Sequence, residues 1–490
     1  MTADSRISNS SGNQIMPAIQ RIVLLLTCVV GVSTAKLATG QSYAVETIKV
    51  PADIRLEVGG MAFWPDGTLV LCTRRGEVWK YKDGQFRQFA FGLHEPLGLY
   101  AGKVGEIWVM QRGELTRVTD EDGDGEADNF EAINQQWGYT GNYHQYAFGL
   151  VRDSEGSFYG TLGLGFYQGG DRFKGTWLGT QDDIKYRGWV LKFTPDGKRV
   201  PFAAGLRAPN GIALSPKGEI FTTDNQGSYI ACGWWMHVRQ GDFLGHASGL
   251  IDDPRYPESW KMTREQLLKI RKRPAVFLPH GTMGNSTSQP LWDTTDGLFG
   301  PFAGQTFVGD VQNGKLTRIC LEKINGEYQG AAIPFIYDKL GGGVNRLVFD
   351  KKGTLWVGLT GRGWAAGEGL KKLTYNGNIP HAIHSMSLTK TGFRLNFTKP
   401  INADQARDPA IYSLRHFELE WQAAYGTPPS KSTVVKPIAI DVSSDHRSVT
   451  LHLPKLETEK IYELHIGNLP STDGEKLQQS MAFYTLNSRL

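Results

Sequence analysis

The stretch GLRAPNGIALSPKGEIFTTDNQGSYIACGWWMHVRQGDFLGH, Gly205 to His246, decides the fold. Pro209-Asn210-Gly211 reads as a turn and Ile212-Ala213-Leu214 as a short apolar strand. Pro216-Lys217-Gly218 is a tight turn that fixes φ at the proline and leaves the glycine free to take positive φ. Glu219 to Thr223 is a second strand, and Asp224-Asn225-Gln226-Gly227 ends it with polar, flexible residues. Strand, turn, strand and polar loop in that order outline one blade of a repeated antiparallel architecture.

The same outline recurs along the chain. Gly60-Met61-Ala62-Phe63 runs through Pro65-Asp66-Gly67 into Thr68-Leu69-Val70-Leu71. Pro96-Leu97-Gly98-Leu99 leads to Glu106-Ile107-Trp108-Val109, and Phe148-Gly149-Leu150-Val151 to Ser157-Phe158-Tyr159. A fifth unit holds Gly304 to Val308 and Lys315 to Ile319. A sixth runs from Asn345 to Phe349 through Lys351-Lys352-Gly353 into Thr354 to Val357. Six units predict an all-β fold, a closed six-bladed β-propeller over residues 41–378. Closure is the physical reason for repetition, because a single blade leaves strand edges and an apolar face uncovered.

Composition agrees. The chain has 490 residues, 59 of them glycine, and is 11% aromatic. That length exceeds one ordinary core. Its formal net charge of +4 comes without a basic block, which argues against a nucleic-acid partner. Residues 1–40 read as a signal peptide: Arg6 and Arg21 precede an apolar run, Ile22 to Val32, too short to span a bilayer, with small residues around Ser33-Thr34-Ala35. This predicts export to the periplasm or outside the cell, with no stable membrane span after cleavage; the alternative is an uncleaved anchor. The cysteines remaining after such cleavage, Cys72, Cys232 and Cys320, are too few and odd in number for a disulfide framework.

Large insertions follow the third unit (165–185) and the fourth (228–280). Thr263 and Gln266 in the latter form a capping box ahead of a short helix. After Asn376 the pattern changes. Phe393, Leu395 and Phe397 alternate with polar residues, as do Val449, Leu451 and Leu453, and Tyr462, Leu464 and Ile466. This predicts an immunoglobulin- or fibronectin-like β-sandwich over residues 379–490, read as a structural or adhesive module.

Three constellations carry candidate chemistry. Asp120 to Glu131 matches the calcium-loop pattern, with Asp120, Asp122, Asp124, Glu126 and Glu131 as ligands and Gly125 at the sharp turn; the alternative is an acidic solvated hairpin. Arg207 precedes the fourth unit's first strand, where a guanidinium aimed into the ring's mouth would clamp a carboxylate, while Asp224 alternatively closes a turn. His144 holds the same position one unit earlier and is a candidate general base.

The third and fourth units resemble the soluble PQQ-dependent glucose dehydrogenases and the wider glucose/sorbosone dehydrogenase family. The match lies in His144 before Phe148-Gly149-Leu150, in Gly205 to Gly211, in Gln226-Gly227 and in Gly241 to Gly245. Propeller and sandwich together look like the secreted dehydrogenase-like proteins of planctomycete-type bacteria. The resemblance implies oxidation of an aldose or polyol hydroxyl by hydride transfer to PQQ held over calcium. His144 would take the hydroxyl proton. Arg207 would hold the cofactor, joined by Asn225, Gln226 and the sixth-unit candidates Arg346 and Arg362. The carbonyls of Gly227 and Ser228 would face the calcium, and an acceptor such as a cytochrome would take the electrons. The match departs at Ala208, where the family carries a polar residue. Two other readings stand beside it. Asn210 and Asp224 resemble the metal-binding pair of gluconolactonase-type propellers, although Gly59-Gly60-Met61 lacks those enzymes' glutamate. A non-catalytic carbohydrate- or protein-binding propeller is the third.

Overall fold

The computed structural model describes residues 42–139, 141, 142, 144–165, 184–362 and 365–490. The candidate signal segment and most of the first insertion lie outside these residues. Among the described residues no helix is long and apolar enough to cross a membrane.

Four-stranded antiparallel sheets follow one another along the chain. The first is built from Val58–Phe63, Leu69–Thr73, Val78–Lys82 and Gln85–Ala90, and the fourth from Gly211–Leu214, Ile220–Asp224, Gly233–Val238 and Val276–Leu278. The opening strand of each sheet packs against that of the next. Val344–Phe349 of the sixth packs back on Val58–Phe63 of the first, closing a ring of six. The glycine repeated in these strands has a steric cause. A Cβ at Gly98 would lie 1.5 Å from the Gly149 carbonyl oxygen, and one at Gly211 would lie 2.5 Å from that of Ser288. Only glycine lets neighbouring blades meet this closely at the axis.

Two features of the ring differ from the pattern read in the sequence. The sixth sheet takes its outer strand from the other end of the chain: Tyr43–Ile48 pairs antiparallel with Gly369–Tyr375, in register from Tyr43 opposite Tyr375 to Ile48 opposite Leu370. In the fifth blade the opening strand is Thr287–Trp292, and Thr306–Asp310 is the second. Thr287–Trp292 ends a long insertion and lacks a Pro-x-Gly turn, which hid it.

Beyond the ring, two four-stranded sheets share one apolar core. One contains Ile383–Leu388, Gly392–Phe397, Ser448–His452 and Ala439–Val442. The other runs Ser430–Val434, Tyr412–Glu418, Lys460–Ile466 and Met481–Leu486, and it does not stop there. Met481–Leu486 pairs with Glu327–Ile336, the outer strand of the fifth blade, so one eight-stranded sheet passes from propeller into C-terminal module. The alternating residues Phe393, Leu395, Val449, Leu451, Tyr462 and Leu464 all enter the shared core, together with Ala331 and Ile333 of the blade. In the insertion after the fourth unit Arg264–Ile270 forms the expected helix, with both hydrogen bonds of the Thr263–Gln266 capping box present.

Candidate functional site

Loops that precede the first strand of a blade, and those that follow its second, converge on one end of the ring. They enclose a cavity of about 340 Å³. His144 and Tyr146 reach it from before the third blade and Arg207, Ala208 and Asn210 from before the fourth. Asn225 and Gln226 come from after Ile220–Asp224, and Arg74 and Arg362 from the matching loops of the first and sixth blades. His280, Asn285, Ser286, Gln312, Asn345 and Thr360 add further polar groups to the lining. Among the described residues, no aspartate or glutamate lines the cavity.

The arginines are fixed from behind. Arg74 pairs with Glu57 at 3.1 Å and donates to the Gly361 carbonyl. Arg362 pairs with Glu95, which also takes Arg112 at 3.0 Å. Arg207 runs across the α-carbon of Gly227. Its Nη1 donates to the Gln226 carbonyl at 2.9 Å, and its guanidinium lies 5.1 Å from the centre of the Tyr425 ring. A methyl group at Gly227 would come within 2.0 Å of Arg207 Nε, so this glycine makes room for the arginine. Burial, with the charges of Arg207 and Arg362, pulls the His144 imidazole down to about 4. His144 is therefore neutral at physiological pH and able to accept a proton.

Asp224 is the buckle of the loop. Its Oδ1 accepts the backbone N–H groups of Ala208 and Asn225, and its Oδ2 that of Arg207, each at 2.7 Å. Desolvation pushes this fully buried carboxyl up to about 6. Asn210 donates to Asn345 Oδ1, while its own side-chain oxygen accepts from Arg346. Both side chains are thus engaged in holding the fold, Asp224 by three backbone N–H groups and Asn210 by Asn345 and Arg346.

Arg346 lies one layer below the cavity, in the hub. Its Nε donates to the Gly59 carbonyl at 2.6 Å, its Nη2 to that of Leu97 at 2.7 Å and its Nη1 to that of Asn210 at 3.1 Å. One buried side chain ties the first, second and fourth blades to the sixth. Desolvation brings its pKa down to about 10, so it remains cationic. This is a role in ring assembly, and it separates Arg346 from the other cofactor candidates.

The resemblance has the Gly227 carbonyl facing a calcium ion. In the structure it accepts the N–H of Ile230 at 3.2 Å and that of Gly426 at 2.9 Å. Both lone pairs are engaged by backbone, so this oxygen does not fit as a metal ligand. Ser228 forms a bridge with Tyr425. The acidic loop on the second blade gathers Asp120, Asp122 and Asp124, whose oxygens lie within 4.8 Å of one another. Glu126 is exposed, and Glu131 pairs instead with Arg117 at 3.4 Å from its place in the strand Asn129–Asn134.

Arg74 and Tyr425 are absent from the candidates drawn from sequence. Arg74 follows Leu69–Thr73 as Asn225 follows Ile220–Asp224, so the repeat itself carried the signal. Tyr425 comes from the C-terminal module, and nothing in the blade pattern points to it.

Residues 60–275 match a family model described as a domain of unknown function, DUF7133. No curated protein matches the chain. The fold is that of the soluble glucose and aldose sugar dehydrogenases. A Thermus thermophilus protein described as an oxidoreductase (glucose dehydrogenase) superposes with TM-score 0.50 at 17% identity, over 68% of this chain and 99% of that one. A second glucose dehydrogenase structure gives TM-score 0.50 at 15% identity, over 68% and 100%. The PQQ-bound aldose sugar dehydrogenase of Streptomyces coelicolor gives 0.48 at 14% identity, over 68% and 99%.

Proposed function

We propose that the mouth of the propeller is the reaction site of an exported sugar or polyol dehydrogenase that uses PQQ as its oxidant. The observation that carries this reading is the convergence of His144, Arg207 and Arg362 on one cavity lined by three arginines and, among the described residues, no carboxylate. That donor set fits a compact polycarboxylate. Arg207, Arg362 and Arg74 would hold its carboxylates, with Asn225 and Gln226 as neutral donors. When bound, the quinone supplies a hydride acceptor.

His144 accepts the proton of the substrate hydroxyl. In the unliganded site two guanidinium groups oppose the imidazolium that this would create. A carboxylate seated between them neutralises that opposition and lifts the pKa of His144 toward the working range of a general base. The arginines therefore act twice, as clamps and as the means by which cofactor binding tunes the base. Calcium has no place at the Gly227 carbonyl in this account. It is proposed at the Asp120–Asp124 loop as a structural ion. An external acceptor such as a cytochrome would reoxidise the cofactor. The C-terminal sheets are read as an immunoglobulin-like module.

The test is reconstitution of the purified chain with PQQ, with and without calcium. An absorbance shift and aldose-dependent dye reduction are expected. No shift at saturating PQQ removes the dehydrogenase reading and leaves a carbohydrate- or protein-binding propeller.

A further inference from the structure

The C-terminal module does more than extend the fifth blade. The loop between its strands Tyr412–Glu418 and Ser430–Val434 returns to the propeller and is bound there along its length. Gly426 N donates to the Gly227 carbonyl, Thr427 N to that of Ala231, and Tyr229 N to the carbonyl of Gln422. Trp421, only 4% exposed, anchors the loop: its ring packs 5.0 Å from that of Tyr229, and its Nε1 donates to the Gly245 carbonyl at 3.0 Å. Arg271 lies over the Trp421 ring, and Arg264 donates to the Trp421 carbonyl. The aromatic side chain that this clamped loop leaves exposed is Tyr425. It is 57% exposed, lines the cavity and stands over Arg207. Gly426 has φ +66, and a Cβ there would come within 2.7 Å of Gln226 Nε2, so the glycine beside the tyrosine lets the loop turn and seat against the mouth.

An aromatic ring over a guanidinium, at the rim of a cavity whose described lining has no acidic residue, offers a flat face next to a positive charge. The ligand that satisfies both is a ring bearing a carboxylate. We propose that Tyr425 is a ligand-contacting wall of the mouth, contributed by the C-terminal module, and that it stacks on a cyclic acid whose carboxylate is held by Arg207. The site is incomplete without the module. This rests on the mouth being a small-molecule site and not on the oxidation step. Two sources of the same chemistry are an aromatic quinone acid and a pyranose acid.

Binding to the full-length chain is measured by titration calorimetry with PQQ, D-glucuronate and D-glucose. At least one of the two acids binds, and glucose binds far more weakly. Tyr425→Ala weakens the acid about tenfold, the scale of one stacking face, with an unchanged unfolding midpoint. Tyr425→Phe leaves binding intact, and Arg207→Ala weakens it by roughly ten- to a hundredfold. Glucuronate binding that depends on Tyr425, without PQQ binding, supports this inference while removing the dehydrogenase reading. Wild-type affinity in Tyr425→Ala alongside loss in Arg207→Ala overturns it. So does a fall in both affinity and unfolding midpoint for Tyr425→Phe, or failure of both acids to bind.

Discussion

Arg346 and Arg207 sit one layer apart on the same ring and show two uses of a guanidinium. Arg346 is buried, and its nitrogens are spent on the carbonyls of Gly59, Leu97 and Asn210. Arg207 lies over a glycine and under a tyrosine, facing a cavity. The residue type is shared, and what differs is what the surrounding loops bring. In the hub, glycine-bearing strands press carbonyls together and demand a donor. In the mouth, the loops hold the guanidinium between Gly227 and Tyr425 at the edge of the cavity. A positive side chain near a propeller axis is therefore not by itself a binding residue.

The sharpest way to break this comparison is Arg346→Met. It leaves buried carbonyls unpaired, and a loss on the order of 3 kcal/mol or more is expected, read as a large fall in unfolding midpoint. A stable variant would show that the hub does not need its donor. Arg207→Ala should do the reverse, with a midpoint near that of the native chain and ligand affinity or dye reduction down by roughly ten- to a hundredfold. Gly227→Ala sharpens the contrast without touching the charge. The new methyl displaces the guanidinium, and activity should fall roughly tenfold or more from misplacement alone.

Acid titration gives a weaker, signed effect. His144 and His237 are held near 4 and His246 near 3, chiefly by burial. Between these values and the ordinary 6.5 the unfolded chain binds the extra protons, so stability falls as pH drops through that window. Asp224, raised to about 6, binds its proton more readily when folded and opposes that fall in the same range. His246→Gln should shallow the slope of unfolding midpoint against pH below 6.5. In an NMR titration His144 should respond near 4 in the free protein and higher once an anion fills the mouth. The smallest effect concerns the acidic loop: calcium should raise the unfolding midpoint modestly, and Asp122→Asn should remove the increment.

The ring was legible because its rule is local. Pro-x-Gly turns and the glycine that each opening strand needs at the axis repeat at readable intervals. His144, Arg207, Asn225, Gln226 and Arg362 could be drawn together because loops at equivalent blade positions share one end of the ring. What escaped was non-local. Tyr43–Ile48 closes the sixth blade with no pattern of its own. Arg346 differs from Arg362 in what the ring presses against it, buried backbone carbonyls in the one case and the Glu95 carboxylate in the other. The Gly227 carbonyl is taken by Gly426, whose arrival depends on how the C-terminal module docks.

The borrowed outer strand of the sixth blade also bears on how the chain is made. Tyr43–Ile48 emerges early in synthesis, yet its partner Gly369–Tyr375 is translated only after the other blades. At ~5–20 residues per second the wait is on the order of tens of seconds. Throughout it the strand has bare edges, and the nascent ring is an open arc that any matching edge can invade. Its sequence, YAVETI, places Glu46 in the middle of that edge, a charge that discourages the wrong partner until the right one is synthesised.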